Sequence, residues 1–301
     1  MNCLILLSQH SPSGEGLANN LNGLHVGNTY VARRYDELMV VIKNNIVQID
    51  FLADGGHLTD FDLVYLRGME NAPLRHALAV YLWAQKIAVV NSESFNFQTM
   101  TKLEQNVVMA LEGVPVADSL YVSSRKNYLA AIEKAGFDFP LVVKAIDGKN
   151  GNHNVKVGSA VDIDNLGFDD AIIQPYLPND FDYRTIVAGE KVIVSYKRIR
   201  QSEESHLNNI ARGGHSEFVD LPKELEPIAI AAARAVGREF TGLDILTNKS
   251  TGKSVVLEVN FNFGEPLFPN VNDRKSYHQK VDNYFQSLAQ GENDGRNIKV
   301  N

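Results

Sequence analysis

Ser254-Val-Val-Leu-Glu-Val-Asn260 is an apolar, β-branched run interrupted by an acid and an amide two residues apart. The run is that of a buried strand, and its period of two puts Glu258 and Asn260 on one face. A second short apolar run, Gly242-Leu-Asp-Ile-Leu246, carries Asp244 in its middle. Asn248-Lys-Ser-Thr-Gly-Lys253 lies between them and is turn sequence, so the two runs are expected to pair as a hairpin. An acid inside a buried strand costs several kcal/mol unless positive charge or hydrogen-bond donors face it. Either acid alone reads most simply as a strand residue facing solvent or an arginine. Both together, with an amide beside them, form an oxygen donor set for Mg²⁺ whose remaining positions phosphate oxygens would fill.

A chain of 301 residues is long for one core and is expected to form about two domains. Its net charge of −7 argues against non-specific binding to nucleic acid or an anionic membrane, while leaving room for a local basic pocket. No apolar run approaches the roughly 20 residues that span a bilayer, and Cys3-Leu-Ile-Leu-Leu7 has no basic leader, so a cytoplasmic location is expected. Cys3 is the single cysteine, which excludes a disulfide framework, a thiolate metal site and a redox pair. The eight histidines lack zinc-ligand spacing.

Residues 2–8 read as a buried strand and 13–22 as a helix, with further strands at 46–51, 62–67 and 88–91 and a helix opened by Pro73. Strands alternating with helices imply a small, mostly parallel α/β domain over residues 1–95. Ser11-Pro-Ser-Gly-Glu-Gly16 has the wrong spacing for a dinucleotide loop, which disfavours a Rossmann-type oxidoreductase. Arg67, at the carboxyl end of its strand, reads as a surface loop residue, with a ligand cleft as the alternative. A helix is expected over 94–111, capped by Ser94 and holding Lys102 near its second turn.

Phe139-Pro-Leu-Val-Val-Lys-Ala-Ile146 is a strand with one lysine inside it, Lys144. The polar turn that follows, 147–154, holds Gly148 and Gly151 and can present backbone N–H groups to phosphates, although an ordinary β-turn is the simpler reading. The strand at 171–177 ends in Gln174, Pro175 and Tyr176, where proline stops ladder pairing and leaves backbone groups for an adenine edge. Two more strands contain Asp182-Tyr-Arg184 and residues 191–200, the second closing on Lys197, Arg198 and Arg200. Residues 201–215, with Asn209 and Arg212, are long enough to form a lid. An apolar helix over 227–239 places Arg234 and Arg238 on its solvated face, and a last helix spans 277–289.

In this order, Lys102, Lys144 with its glycine loop, Gln174-Pro-Tyr176, Asp182-Tyr-Arg184, Asn209-Ile-Ala-Arg-Gly-Gly214, Gly242-Leu-Asp244 and Glu258-Val-Asn260 resemble the ATP-grasp superfamily over residues 96–266. The likeness is greatest to the branch of the ribosomal-protein glutamate ligase and the carrier-protein ligase of lysine biosynthesis. It implies an α/β fold, α+β in its C-terminal part. A Rossmann-like pre-ATP-grasp domain over 1–95 would precede two α+β subdomains, the small one with the glycine loop over 96–180 and the C-terminal one with the metal site over 181–301. It also implies ATP and Mg²⁺, with Mn²⁺ as a substitute.

By the same resemblance Lys102, Lys144 and Asn209 would meet phosphates, and the loop with Gly148 and Gly151 would close over them. Gln174, Pro175 and Tyr176 would meet adenine, and Asp182 the ribose. Asp244, Glu258 and Asn260 would hold two Mg²⁺ ions, with Arg198 and Arg212 stabilising the transferred phosphoryl group and the acyl intermediate. The implied reaction is ATP-dependent joining of a carboxylate to an amine through an acyl phosphate. Its substrates would be amino acids or peptides, a protein or carrier-protein terminus among them, and the chain would form homo-oligomers. The alternative is a nucleotide-binding regulator without turnover. Its support is His153, where relatives carry another glycine, and Phe261-Asn-Phe-Gly264, where they carry a Ser-Pro-Gly or Thr-Met turn.

Overall fold

A computed structural model describes residues 1–8, 12–44, 46–68, 72–95, 100–146, 154–200, 208 and 215–291. The chain opens with β1 (Asn2–Leu7), α1 (Pro12–Asn22), β2 (Thr29–Arg34), β3 (Leu38–Lys43), β4 (Ile46–Phe51), β5 (Leu63–Leu66), α2 (Ala72–Ala84) and β6 (Ala88–Val90). Four of these strands form a parallel sheet in the order β2-β1-β5-β6, and β3 with β4 forms a separate antiparallel hairpin. β5 is apolar throughout, and β1 from Cys3 to Leu7, because both faces are covered. Cys3, Ile5 and Leu7 pack with α1 residues, while Leu4 and Leu6 pack with Leu78 and Leu82 of α2. Cys3 is fully buried, and that burial pushes its thiol well above the ordinary range, so it is inert.

The helix expected over 94–111 is shorter. Ser92–Phe95 forms a 3₁₀ turn, and α3 spans Lys102–Leu111. The Glu104 amide donates to the Thr101 hydroxyl, and the Thr101 amide donates to the Glu104 carboxylate at 2.7 Å. This reciprocal capping box fixes the start, so Lys102 sits at the first helical position and not in the second turn.

A second layer contains β7 (Leu120–Val122), α4 (Tyr128–Ala135), β8 (Leu141–Ala145), β9 (Asn154–Val157), α5 (Ala160–Asp164) and β10 (Ala171–Pro175). Its sheet is antiparallel in the order β7-β10-β8-β9. Leu141, Val143, Ala171 and Ile173 form a core with Tyr128 and Ile132 of α4. Val142, Lys144 and Gln174 therefore lie on the opposite face.

The last layer contains β11 (Phe181–Ala188), β12 (Lys191–Ile199), β13 (His215–Phe218), α6 (Glu226–Ala235), β14 (Phe240–Thr247), β15 (Ser254–Asn260) and α7 (Val271–Ala289). Its antiparallel sheet runs β13-β12-β11-β14-β15. Tyr183, Val187, Leu243, Ile245, Val256 and Val259 pack with Ala229, Ala232 and Ala233 of α6. On the other face Ile186, Ala188 and Phe240 meet Tyr284 and Phe285 of α7. The β14–β15 register shifts between Asp244 and Ile245: Asp244 pairs with Glu258 but Ile245 pairs with Val256, so Leu257 is an extra residue in β15.

Arg238 departs from the solvated position expected for it. Its side chain is 2% exposed and its Nε lies 2.6 Å from the Glu93 carboxylate, which is wholly buried. Nη2 donates to the other Glu93 oxygen at 2.7 Å, and Nη1 donates to the Val259 carbonyl. The helix ends before Arg238, at Ala235, which frees this side chain to turn inward.

Candidate active site

The face of the last sheet that meets α7 through Ala188 and Ile186 continues, by period two, into Arg184 and Asp182. Antiparallel register then sets the charges side by side. Asp182 pairs with Arg198 across β11 and β12, and Arg184, Asp244 and Glu258 form one row across β11, β14 and β15. Arg184 Nε lies 2.6 Å from Asp244 Oδ1, and Arg198 Nη2 lies 2.9 Å from Asp244 Oδ2. Arg198 Nε donates to Asp182 Oδ1 at 2.7 Å, and Asn208 Nδ2 donates to Asp182 Oδ2 at 3.3 Å.

Burial works against the charge on Asp244, but Arg184 and Arg198 outweigh it and hold the carboxyl below the usual range. For Asp182 burial prevails over Arg198, and its carboxyl is raised. Burial would likewise lower Arg198, yet Asp244 and Asp182 keep it above its ordinary value. Paired in this way the buried acids are tolerable.

Two lysines reach the same place from α3 and from the sheet of the second layer. Lys102 Nζ, at the start of α3, lies 3.5 Å from Glu258 Oε1. Lys144 on β8 is depressed from 10.5 to about 8, chiefly by desolvation and further by Lys102, with Glu258 and Asp244 opposing. Its protonated form is thus penalised in the folded, ligand-free chain, so stability through this group rises between about 8 and 10.5 as the proton leaves. Phosphate beside Lys144 would favour the charged form. Binding of a phosphate group at this position is therefore expected to take up a proton, increasingly as pH rises from 7 toward 9, with an upper limit of about one. Calorimetry in buffers of different ionisation enthalpy measures this, and Lys144→Met should remove it.

Asn260 Nδ2 donates to the Gly242 carbonyl across the hairpin at 2.9 Å, which orients the carboxamide and leaves its oxygen for a cation. Asp244, Glu258 and Asn260 offer only oxygen, as a hard cation requires. Among the described residues no group of three or more His, Cys, Asp or Glu side chains could hold a metal alone. The donor set fits Mg²⁺ carried in with phosphate oxygens and not a prebuilt cage.

On β8 and β10, Lys144 pairs with Ile172 and Val142 with Gln174. Gln174 is buried and its Nε2 donates to Ser119 Oγ at 2.8 Å. The Tyr176 amide already donates to the Pro140 carbonyl at 3.0 Å, so it is not the free donor expected after Pro175. Lys156 Nζ, on β9, lies 3.9 Å from the Tyr176 ring centroid. Gly148, Gly151, His153, Asn209 and Arg212 lie outside the described residues.

Arg67 is not a surface residue. It is 2% exposed, and its Nε donates to Asn262 Oδ1 at 2.8 Å while Nη2 donates to the Phe263 carbonyl at 2.5 Å. Glu265, three residues past Asn262, accepts from Asn20 Nδ2 at 2.9 Å and lies 3.0 Å from His278 Nε2. The turn after the acidic strand is thereby fixed to α1, β5 and α7. Arg184 could have been found in the sequence by its parity with Asp182, and Lys156 by its place in an alternating strand. Arg67 and Asn208 carry no such signal.

Residues 99–270 match the family model described as RimK-like ATP-grasp domain. A protein of Pasteurella multocida named "Probable alpha-L-glutamate ligase" is 28% identical over 71% of this chain and 70% of its own length. One of Rhodopirellula baltica with the same name is 28% identical over 56% of this chain, which spans only 43% of that relative. Among solved structures, the ATP-grasp ligase PsnB complexed with minimal precursor, Mg and ADP aligns with a TM-score of 0.69 at 20% identity, covering 95% of this chain and 97% of PsnB. A Chryseobacterium gregarium RiPP-associated ATP-grasp ligase, in complex with ADP and a leader and core peptide, aligns with a TM-score of 0.69 at 14% identity, covering 94% and 96%. These two likenesses establish the fold, and the match over residues 99–270 establishes that the chain belongs to the RimK-like ATP-grasp family.

Proposed function

We propose that this protein is an ATP-dependent carboxylate–amine ligase acting on amino acids or peptides through an acyl phosphate. The observation that carries the reading is the convergence of Asp244 and Glu258, paired across β14 and β15, with Lys102 at the start of α3 and Lys144 on β8. Domain limits of 1–95, 96–180 and 181–301 accompany it, supported by the three main sheets falling within those spans.

In this reading Lys102 and Lys144 neutralise the nucleotide phosphates, helped by Asn209 and the backbone around Gly148 and Gly151. Gln174, Pro175 and Tyr176 line the adenine side, with Lys156 beside Tyr176. Asp244, Glu258 and Asn260 hold Mg²⁺, which supplies charge neutralisation to the phosphoryl oxygens when bound. Arg198 faces the transferring group together with Arg212. Asp182, whose oxygens are engaged by Arg198 and Asn208, serves as the anchor that aims Arg198 rather than as a ribose contact. A substrate carboxylate oxygen attacks the γ-phosphorus and ADP leaves. An amine then attacks the acyl carbon, loses a proton and expels phosphate.

The test is phosphate release with Mg-ATP across amino acids and peptides, singly and in pairs, with mass detection of the product. A new amide and stoichiometric ADP are expected. A second reading, a nucleotide-binding regulator, is favoured by the closure of both Asp244 oxygens on guanidinium groups. ATP binding without release for any pair would select it.

A further inference from the structure

Arg198 and Arg238 are buried arginines that meet carboxylates. Arg67 differs from both: at 2% exposure its recorded bonds all go to neutral oxygens, on Asn262, Phe263 and, at 3.1 Å, Ser13. No described carboxylate lies within ion-pair distance of it, and Nη1 has no acceptor among the described residues. Guanidinium does not shed its proton in a protein, so the charge cannot be relieved by titration. Neutral acceptors offset only part of the cost of burying it.

Its place in the fold points to the missing anion. Arg67 follows β5 at the carboxyl edge of the parallel sheet, where open α/β sheets receive ligands. Ser13, which it touches, lies in the first turn of α1, an 11-residue helix whose amino end adds partial positive charge. Its other partner, Asn262, is two residues past Asn260, so the two α-carbons are at most about 7 Å apart. The guanidinium thus borders the turn that leaves the metal strand, reached from the N-terminal sheet rather than from α3 and β8, which carry Lys102 and Lys144.

We propose that Arg67 and the amino end of α1 form an anion site for a carboxylate of the non-nucleotide substrate, one that is held and not activated. This rests on the ligase reading. A planar guanidinium receives a carboxylate through paired hydrogen bonds, and an uncharged amide in its place leaves the buried cation unmatched.

The test compares each amino acid that supports turnover with its α-carboxamide. The wild type should favour the free acid in kcat/KM by roughly a hundredfold. Arg67→Met should bring the ratio to near one, and Arg67→Lys should restore part of it. Because the ratio compares two substrates on one preparation, it does not depend on the fraction of folded protein. Should Arg67→Met give no soluble protein, Asn262→Ser, which loosens Arg67 without removing its charge, should lower the ratio instead. An unselective wild type, or an unchanged ratio in the variants, overturns the site while leaving the ligase reading intact. If no substrate supports turnover, the ligase reading fails on its own. Thermal shifts with millimolar succinate then decide: stabilisation of the wild type and not of Arg67→Met upholds the anion site, and no wild-type shift overturns it.

Discussion

Glu258→Ala is expected to lower Mg²⁺-dependent ADP formation by at least about 10³-fold, because it removes one of two carboxylates proposed to hold the cation. The fold should survive. Glu258 is a third exposed and its one ion pair among the described residues, with Lys102, spans 3.5 Å, so its loss changes stability little. A second consequence has a definite sign. Glu258 supports the charge on Lys144, so without it that lysine should lose its proton at a pH below the present value of about 8. Circular dichroism and urea unfolding check the fold, and coupled ADP release with varied Mg²⁺ checks the function. Turnover near the wild-type rate would remove Glu258 from the metal site.

Glu93→Ala is expected to destabilise the protein by about 3–5 kcal/mol, the cost of leaving a buried cation without its partner. Neither side chain of the Glu93–Arg238 pair has appreciable access to water. Arg238 also donates to the Val259 carbonyl and stands over the Phe261 ring at 5.4 Å, directly behind the strand that carries Glu258 and Asn260. The urea midpoint should fall accordingly. Glu93→Leu combined with Arg238→Met should recover much of the loss, since no charge remains buried. A Glu93→Ala variant with an unchanged midpoint would show that the pair contributes little.

The acidic hairpin was legible in the sequence because its two signals are local: alternation within each strand and turn residues between them. Residues 1–95 as an alternating α/β segment were legible for the same reason. β2 and β13 were not, since Thr29-Tyr-Val-Ala-Arg-Arg34 and His215-Ser-Glu-Phe218 lack a continuous apolar run. The pairing of Arg198 with both Asp182 and Asp244 depends on the registers of three strands, which no single window contains. Arg67 and Asn262 are 195 positions apart, and Arg238 and Glu93 are 145 apart. An arginine after a strand, or after an apolar helix, looks solvated until its distant partner is known. The start of α3 could have been read from Thr101 and Glu104, because a capping box has a fixed spacing that Ser94 does not satisfy.

The extra residue at Leu257 works like a shift of reading frame. Between the turn and Leu257, β15 is in one phase with β14, and beyond it the strand is in the other. Were the first phase to continue, Leu257 would stand opposite Asp244, and Glu258 and Asn260 would turn toward α6 while Val259 turned outward. One residue therefore decides which parity of the sequence is chemistry and which is core. Changes in the turn at 248–253 leave that parity alone when they preserve pairing, and so does loss of Leu257 itself, which closes the bulge with Glu258 still opposite Asp244; only pairing Leu257 in the place of Glu258 would exchange the roles of every residue after it.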